Sequence, residues 1–138
     1  MTATIMDGKR VASEIRALVG EEVRRLEGKG LKPCLATVLV GSDEASRLYV
    51  SLKHRACQEV GIRSIDCHFP EGTAEDRIAA KIDELNGDDA VHGIMIELPL
   101  PPPLEAQGVM ERISPQKDVD GLTPSNLGRA MYRRYGLL

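Results

Sequence analysis

The chain has 138 residues, 42% of them apolar and 28% charged, and 18 Lys+Arg against 21 Asp+Glu give a net charge of −3. That is the length and composition of one globular domain able to bury a core. Mild acidity is the wrong sign for a nucleic-acid face, and no apolar run approaches the ~20 residues that span a bilayer.

Met1 to Asp7 carries neither a basic segment nor an apolar run, so no secretion signal is read there. Asp7 is a candidate helix N-cap. Val11, Ile15, Leu18, Val19, Val23 and Leu26 then recur at helical spacing until Gly28 and Gly30. Leu35 to Val40 is a continuous apolar, β-branched run, as in a strand buried on both faces. Ser42 or Asp43 caps a second helix that runs to Val60 and stops at Gly61. Ile62 to Phe69 reads as a short strand. Thr73 and Asp76 have the spacing of a capping box before a third helix with Ile78, Ile82 and Leu85 on one face, ended by Asn86-Gly87. Val91 to Leu98 is a further strand, stopped by Pro99 and Pro101-Pro102-Pro103. A short helix over Glu105 to Ile113, a polar turn over Ser114 to Gly121 and a last helix over Pro124 to Tyr135 complete the chain. Arg133-Arg134 is its densest basic pair and reads as a solvated helix end.

Alternating strands and helices predict an α/β fold: a three-layer sandwich with a short, mostly parallel sheet flanked by helices. Ligands of such sheets sit beyond the carboxyl ends of the strands. Those ends are Gly41 to Asp43, Pro70 to Thr73 and Glu97 to Pro103.

Ser46, Tyr49 and Lys53 stand at i, i+3 and i+7, within roughly a 60° sector of the second helix. A hydroxyl, a phenol and an amine therefore point the same way; a solvent-facing Lys beside a half-buried Tyr reads equally well from spacing. Glu97 interrupts Ile94-Met95-Ile96 and Leu98. A carboxylate there needs a partner, for which Lys53 is the candidate, unless the strand has already emerged into water. Lys117-Asp118-Val119-Asp120-Gly121 is a compact acidic turn. Two carboxylates are too few for a metal site; they suit a hydrogen-bonded ligand or simply Asx-turns. His54, His68 and His92 share no ligand spacing and read as structural or surface residues. Cys34, Cys57 and Cys67, odd in number and without a Cys-x-x-Cys pair, read as buried free thiols of a reducing cytoplasm. Neither Gly-x-Gly-x-x-Gly nor a Gly-x4-Gly-Lys-Ser/Thr loop occurs, so no nucleotide-phosphate cradle is visible.

Taken together, these segments resemble one family. Gly41 to Lys53 with Gly61-Ile62, then Gly93 to Pro102, then Ile113 to Gly121 with Pro124, Asn126 and Gly128, are similar in order and spacing to three signatures of the methylenetetrahydrofolate dehydrogenase/cyclohydrolase family. The family interconverts 5,10-methylene-, 5,10-methenyl- and 10-formyl-tetrahydrofolate by an NAD(P)-dependent oxidation and a hydrolysis. The resemblance implies that Lys53 is the catalytic lysine, with Ser46 supporting it. Tyr49 would stack on the aminobenzoate ring, Asp120 would accept hydrogen bonds from the pterin, and Leu98, Pro99, Leu100 and Pro101 would line the pterin pocket.

Two departures qualify it. Glu97 stands where the family has a Gln that hydrogen-bonds the lysine. A Glu favours the charged ammonium and makes Lys53 a poorer base, so that either Glu97 itself activates water or hydrolysis is weakened. The family's dinucleotide-binding domain also has no counterpart, and Arg129 to Leu138 leaves the family pattern. The expectation is one folate-site domain over residues 1–138, without NADP site, metal or dehydrogenase activity, cytoplasmic, with a small folate ligand and no nucleic-acid or membrane partner. It hydrolyses the methenyl form, or it is a non-catalytic folate-binding module. Nothing in the sequence sets its oligomeric state.

Overall fold

The computed structural model describes residues 5–132. The elements run α1 (Gly8–Glu27), β1 (Cys34–Val40), α2 (Glu44–Val60), β2 (Arg63–Phe69), α3 (Glu75–Gly87), β3 (Gly93–Ile96), α4 (Ala106–Glu111) and α5 (Pro124–Met131). The sheet is entirely parallel in the order β2-β1-β3, with Val38 opposite Cys67 on one side and Ile96 on the other. β1 is central, which is why its sequence is an unbroken apolar run: buried strands of parallel sheets have no solvent face to alternate toward.

Strand alternation sorts the two faces. Ala36, Val38, Val40, Cys67, Ile94 and Ile96 form the main core with Ile78, Ile82 and Leu85 of α3 and Val109 of α4. Leu35, Thr37 and Leu39, and on β3 Gly93 and Met95, point the other way, toward the side covered by α2. That face carries the chemistry, because Glu97 is next in the alternation after Met95.

Helix termini follow local chemistry. Asp7 accepts from the Lys9 and Arg10 N–H groups at the start of α1, and Asp43, rather than Ser42, caps α2 by accepting from the Ser46 N–H. α2 ends at Gly61, whose φ of 87° is left-handed and whose missing Cβ leaves room for Val23, 3.1 Å from where it would stand.

Two expectations change, and α1 adds an observation of its own. The Thr73/Asp76 capping box is not formed: Ala74 is the N-cap residue of α3, without a side-chain cap, and the Thr73 hydroxyl instead donates to the Pro70 carbonyl at 2.7 Å. The tight Pro70–Thr73 turn claims the hydroxyl before the helix begins. β3 is four residues rather than eight, although the His92 and Glu97 N–H groups, donating to Cys34 and Val38 at 2.9 Å, continue its pairing with β1 at both ends. The apolar face of α1 is largely uncovered: Val11 is 45%, Ile15 54% and Leu18 66% exposed, and only Gly20 and Val23 of this helix are buried. α1 packs on α2, with Gly20 against Val60. The expected continuation of α5 to Tyr135 and the Arg133-Arg134 pair lie outside the described residues.

This division of buried and open apolar residues is testable. Ile82→Ala should cost about 2–5 kcal/mol, the range for a fully buried branched side chain. Ile15→Ser should stay within about 0.5 kcal/mol. Urea unfolding of the two variants measures both; similar losses would show that α1 is packed in solution.

Candidate functional site

α2 starts just after the carboxyl end of β1, so its first turns stand over the ligand-binding edge of the sheet. Its side chains reach β3 there. Lys53 Nζ donates to Glu97 Oε1 at 2.5 Å, joining residues 44 apart in sequence, with side chains 29% and 8% exposed. The burial of Glu97 rules out the alternative in which the strand has already entered water. A carboxylate in that position without a cation would carry several kcal/mol of uncompensated desolvation. The Lys53 ammonium also lies 5.6 Å from the centroid of the Tyr49 ring. The ring itself is 64% exposed, open to a planar partner.

Ser46 is drawn into helix capping: its Oγ donates to Asp43 Oδ2 at 2.8 Å, beside its own N–H bond to the same oxygen. These two bonds hold the Asp43 carboxylate below the usual range. Of the wall beyond β3, Leu98 and Pro99 stand open, whereas Leu100 packs on the core and Pro101 lies 3.6 Å from the position a Cβ of Gly41 would occupy. Leu98–Pro99 and Pro102–Pro103 are cis peptides. A cleft of about 500 Å³ is lined by Gly41, Asp43, Glu71, Pro99 and Pro101 among others.

The acidic turn separates into two roles. Asp118 is 2% exposed and structural. Its carboxylate accepts from the N–H groups of Gly121 (2.9 Å), Leu122 (3.3 Å) and Thr123 (2.8 Å) and from Asn126 Nδ2 (3.0 Å). This is an Asx-turn extended into a cage. Burial alone would raise its pKa, but the hydrogen bonds from Thr123 and Asn126 outweigh it and hold the carboxyl below the ordinary value. The Ile94 N–H donates to the Lys117 carbonyl at 2.7 Å, which fastens the turn to β3. Asp120, two residues on, keeps its carboxylate accessible to solvent beside Lys53 and Glu97. Partial desolvation by its neighbours pushes its pKa up; the Lys53 charge opposes the shift, and Asp118 and Glu97 add to it.

Lys53, Glu97, Tyr49 and Asp120 therefore gather at one edge, as the motifs require. Spacing alone treated Asp118 and Asp120 alike, the resemblance singled out Asp120, and neither gave Asn126 or Thr123 a structural task. The separating signal was present in the spacing of Asp118, Thr123 and Asn126, a carboxylate followed by a helix N-cap. The histidines stay outside this site: His54 Nδ1 meets Ser64 Oγ at 2.8 Å, His68 Nε2 donates to the Gly41 carbonyl at 2.6 Å, and His92 is exposed. Cys34, Cys57 and Cys67 are buried and unpaired, and burial pushes the Cys57 and Cys67 thiols up. Among the described residues no group of three His, Cys, Asp or Glu side chains is placed to hold a metal ion, and no helix is long and apolar enough to cross a membrane.

Residues 6–120 match the family described as the tetrahydrofolate dehydrogenase/cyclohydrolase catalytic domain. The chain belongs to this family. It is 51% identical over 127 residues to bifunctional protein FolD 2 of Geobacter sulfurreducens, a match covering 92% of this chain and 45% of that protein. It is 50% identical over 131 residues to bifunctional protein FolD of Bacillus thuringiensis, covering 95% and 46%. The crystal structure of the Campylobacter jejuni bifunctional enzyme FolD superposes with a TM-score of 0.95 at 40% identity, over 98% of this chain and 48% of that one. The Trypanosoma brucei dehydrogenase-cyclohydrolase, complexed with NADP cofactor and inhibitor, gives 0.92 at 34% identity, over 99% and 47%. The chain thus spans just under half the length of these relatives. The family fold and the α/β assignment stand on these matches.

Two outcomes follow from the site's electrostatics. Lys53→Met strands Glu97 and should cost about 1–3 kcal/mol, with Lys53→Met/Glu97→Leu regaining most of it in urea unfolding. A Lys53→Met protein as stable as the parent would show that the pair is absent in solution. Asp118 has a lowered folded pKa, so its stabilisation is complete above the ordinary Asp value of about 4 and fades as acid protonates it. Asp118→Asn places a donor among donors. It should cost about 2 kcal/mol at neutral pH and show a shallower loss of stability between pH 5 and pH 3 than the parent, both numbers of pH being approximate bounds about that value. Identical acid profiles would refute the cage.

Proposed function

We propose that this chain binds a tetrahydrofolate derivative in the cleft between α2, the Leu98–Pro101 wall and the Asp120 turn, and hydrolyses its 5,10-methenyl form to the 10-formyl form. The observation that carries the reading is the Lys53–Glu97 pair, with Glu97 buried and Lys53 partly open at the strand edge where ligands of parallel sheets bind, and the open Tyr49 face beside it. The names of the relatives, bifunctional FolD proteins and dehydrogenase/cyclohydrolases, supply the substrate class.

In the proposed reaction water adds to the amidinium carbon between N5 and N10 of the methenyl ligand. Glu97, through the oxygen not engaged by Lys53, takes a proton from the attacking water. The Lys53 ammonium faces the developing hydrate oxygen, and Ser46 keeps the start of α2 in place beneath it. The C–N5 bond then breaks, N5 takes up a proton and the carbon leaves as the N10-formyl group, with one proton released overall. Asp120 accepts from the pterin's amino and ring N–H groups, Tyr49 stacks on the aminobenzoate, and Leu98, Pro99, Leu100 and Pro101 form the pocket wall.

Hydride transfer is outside this proposal for the 138 residues. A nicotinamide would supply the oxidising half of the family's chemistry, but the sequence holds no glycine-rich phosphate loop to cradle it. The unpaired thiols support a reducing cytoplasm, and the net charge of −3 supports a small-molecule ligand over nucleic acid.

A second reading, a binding module without turnover, is favoured by the same pair, since the Lys53 amine is already engaged by Glu97 at 2.5 Å. Near-UV absorbance of 5,10-methenyl-tetrahydrofolate separates the two. We expect decay above the buffer rate, falling about 100-fold or more in Lys53→Ala and Glu97→Ala, the scale of general acid–base catalysis. Saturable binding without decay establishes the module, and no binding by calorimetry rejects both readings. NADP reduction with methylene-tetrahydrofolate would overturn the restriction to hydrolysis.

A further inference from the structure

Gly93 opens β3, pairs with Leu35 of β1 and is buried. Its Cα–H points to the α2 side of the sheet, the side on which Lys53 and Glu97 meet. A Cβ built there would stand 2.5 Å from Val119 Cγ1 and 3.3 Å from Leu35 Cδ1. The first distance is far inside van der Waals contact, so Val119 occupies the space that a side chain at 93 would need. Nothing in the local backbone demands glycine: Gly93 is not among the glycines with positive φ. The demand comes from Val119.

Val119 sits between Asp118 and Asp120. Asp118 is fixed by its cage and by the bridge to Ile94, and Gly121 turns the chain at a φ of 69° immediately after Asp120. With one neighbour caged and the next a left-handed glycine, Asp120 has little freedom of its own. Its direction is set by how deeply Val119 seats on β3. Val119 is 48% exposed, so its seat contributes little to the core.

We propose that Gly93 is a positioning residue for Asp120, acting through Val119: the missing side chain lets Val119 lie flat on β3, and that contact aims the Asp120 carboxylate into the cleft. The inference rests on the folate-binding reading above, in which Asp120 meets the pterin. A displacement of about 1 Å at a group that must accept two converging N–H bonds is enough to weaken binding by an order of magnitude or more.

A size-swap cycle tests it, with the affinity for 5,10-methenyl-tetrahydrofolate measured by calorimetry on the full chain and folding checked by circular dichroism. Gly93→Ala should bind about tenfold more weakly. Val119→Ala should lose a few-fold, and Gly93→Ala/Val119→Ala, in which the new methyl fills the space that Cγ1 leaves, should bind more tightly than either single variant. In an Asp120→Asn background Gly93→Ala should cost no further affinity, which a general loss of structure would not reproduce. Parental affinity in Gly93→Ala, or a double variant no tighter than Val119→Ala, overturns the inference; the latter comparison decides even where Gly93→Ala does not fold. Absence of binding by the parent protein rejects the folate reading itself, a different failure from a parent that binds and a cycle that shows no coupling.

Discussion

Glu97 ends the β3 side of the sheet with a carboxylate that is 8% exposed, and a cation must lie within reach for that position to exist. The rest of the site is arranged around meeting that need. Strand alternation puts Glu97 on the α2 face, the parallel order β2-β1-β3 puts β3 next to the strand that launches α2, and Asp43 starts α2 where its third turn carries Lys53 over the strand end. An apolar pair in the same volume would satisfy the fold equally well or better, because desolvating two charges consumes most of what their attraction returns. The pair is therefore an expense of stability at the ligand-binding edge, which is where proteins place such expenses.

How much of this could be read from residues alone depended on whether the deciding interaction was local. Asp7, Asp43 and Gly61 act within a turn or two of their own helix, and the boundaries they mark for α1 and α2 are those observed. The run Leu35 to Val40 announced a central strand because its neighbours cover both faces. Thr73 misled because two local partners, the helix and the Pro70 carbonyl, compete for one hydroxyl, and spacing does not rank them. The stripe Val11, Ile15, Leu18 and Val19 correctly indicated a helix, whose apolar face is largely uncovered. Periodicity reports an apolar face but not what lies opposite it.

The Lys117–Gly121 turn shows the same limit at finer scale. Two aspartates in one five-residue segment have the same side chain, yet folding drives their acidities apart. Asp118 receives four hydrogen bonds and loses proton affinity; Asp120 is desolvated, stands near two carboxylates and gains it in spite of Lys53. The difference arises largely from Thr123 and Asn126 at the start of α5, which donate to Asp118 across 5 and 8 positions. The motif resemblance named Asp120 as the ligand-facing residue; only the three-dimensional arrangement supplies the reason that Asp118 is not.

The resulting charge balance bears on what the cleft can hold. Lys53 is matched by Glu97, and the Asp118 charge is absorbed by backbone and amide N–H groups, which leaves Asp120 as the carboxylate without a dedicated partner. Its pKa is raised first by desolvation; the Lys53 charge opposes that shift, and Asp118 and Glu97 add to it. A ligand that brings hydrogen-bond donors to Asp120 and positive charge to the space beside Glu97 relieves both. A pterin edge and an amidinium carbon, carried on one rigid ring system, have that distribution, whereas a neutral ring of the same shape would satisfy Asp120 alone. On the proposed function, the Glu97 carboxylate that engages the Lys53 amine also draws a cationic substrate to the same edge, so one side chain serves both binding and turnover.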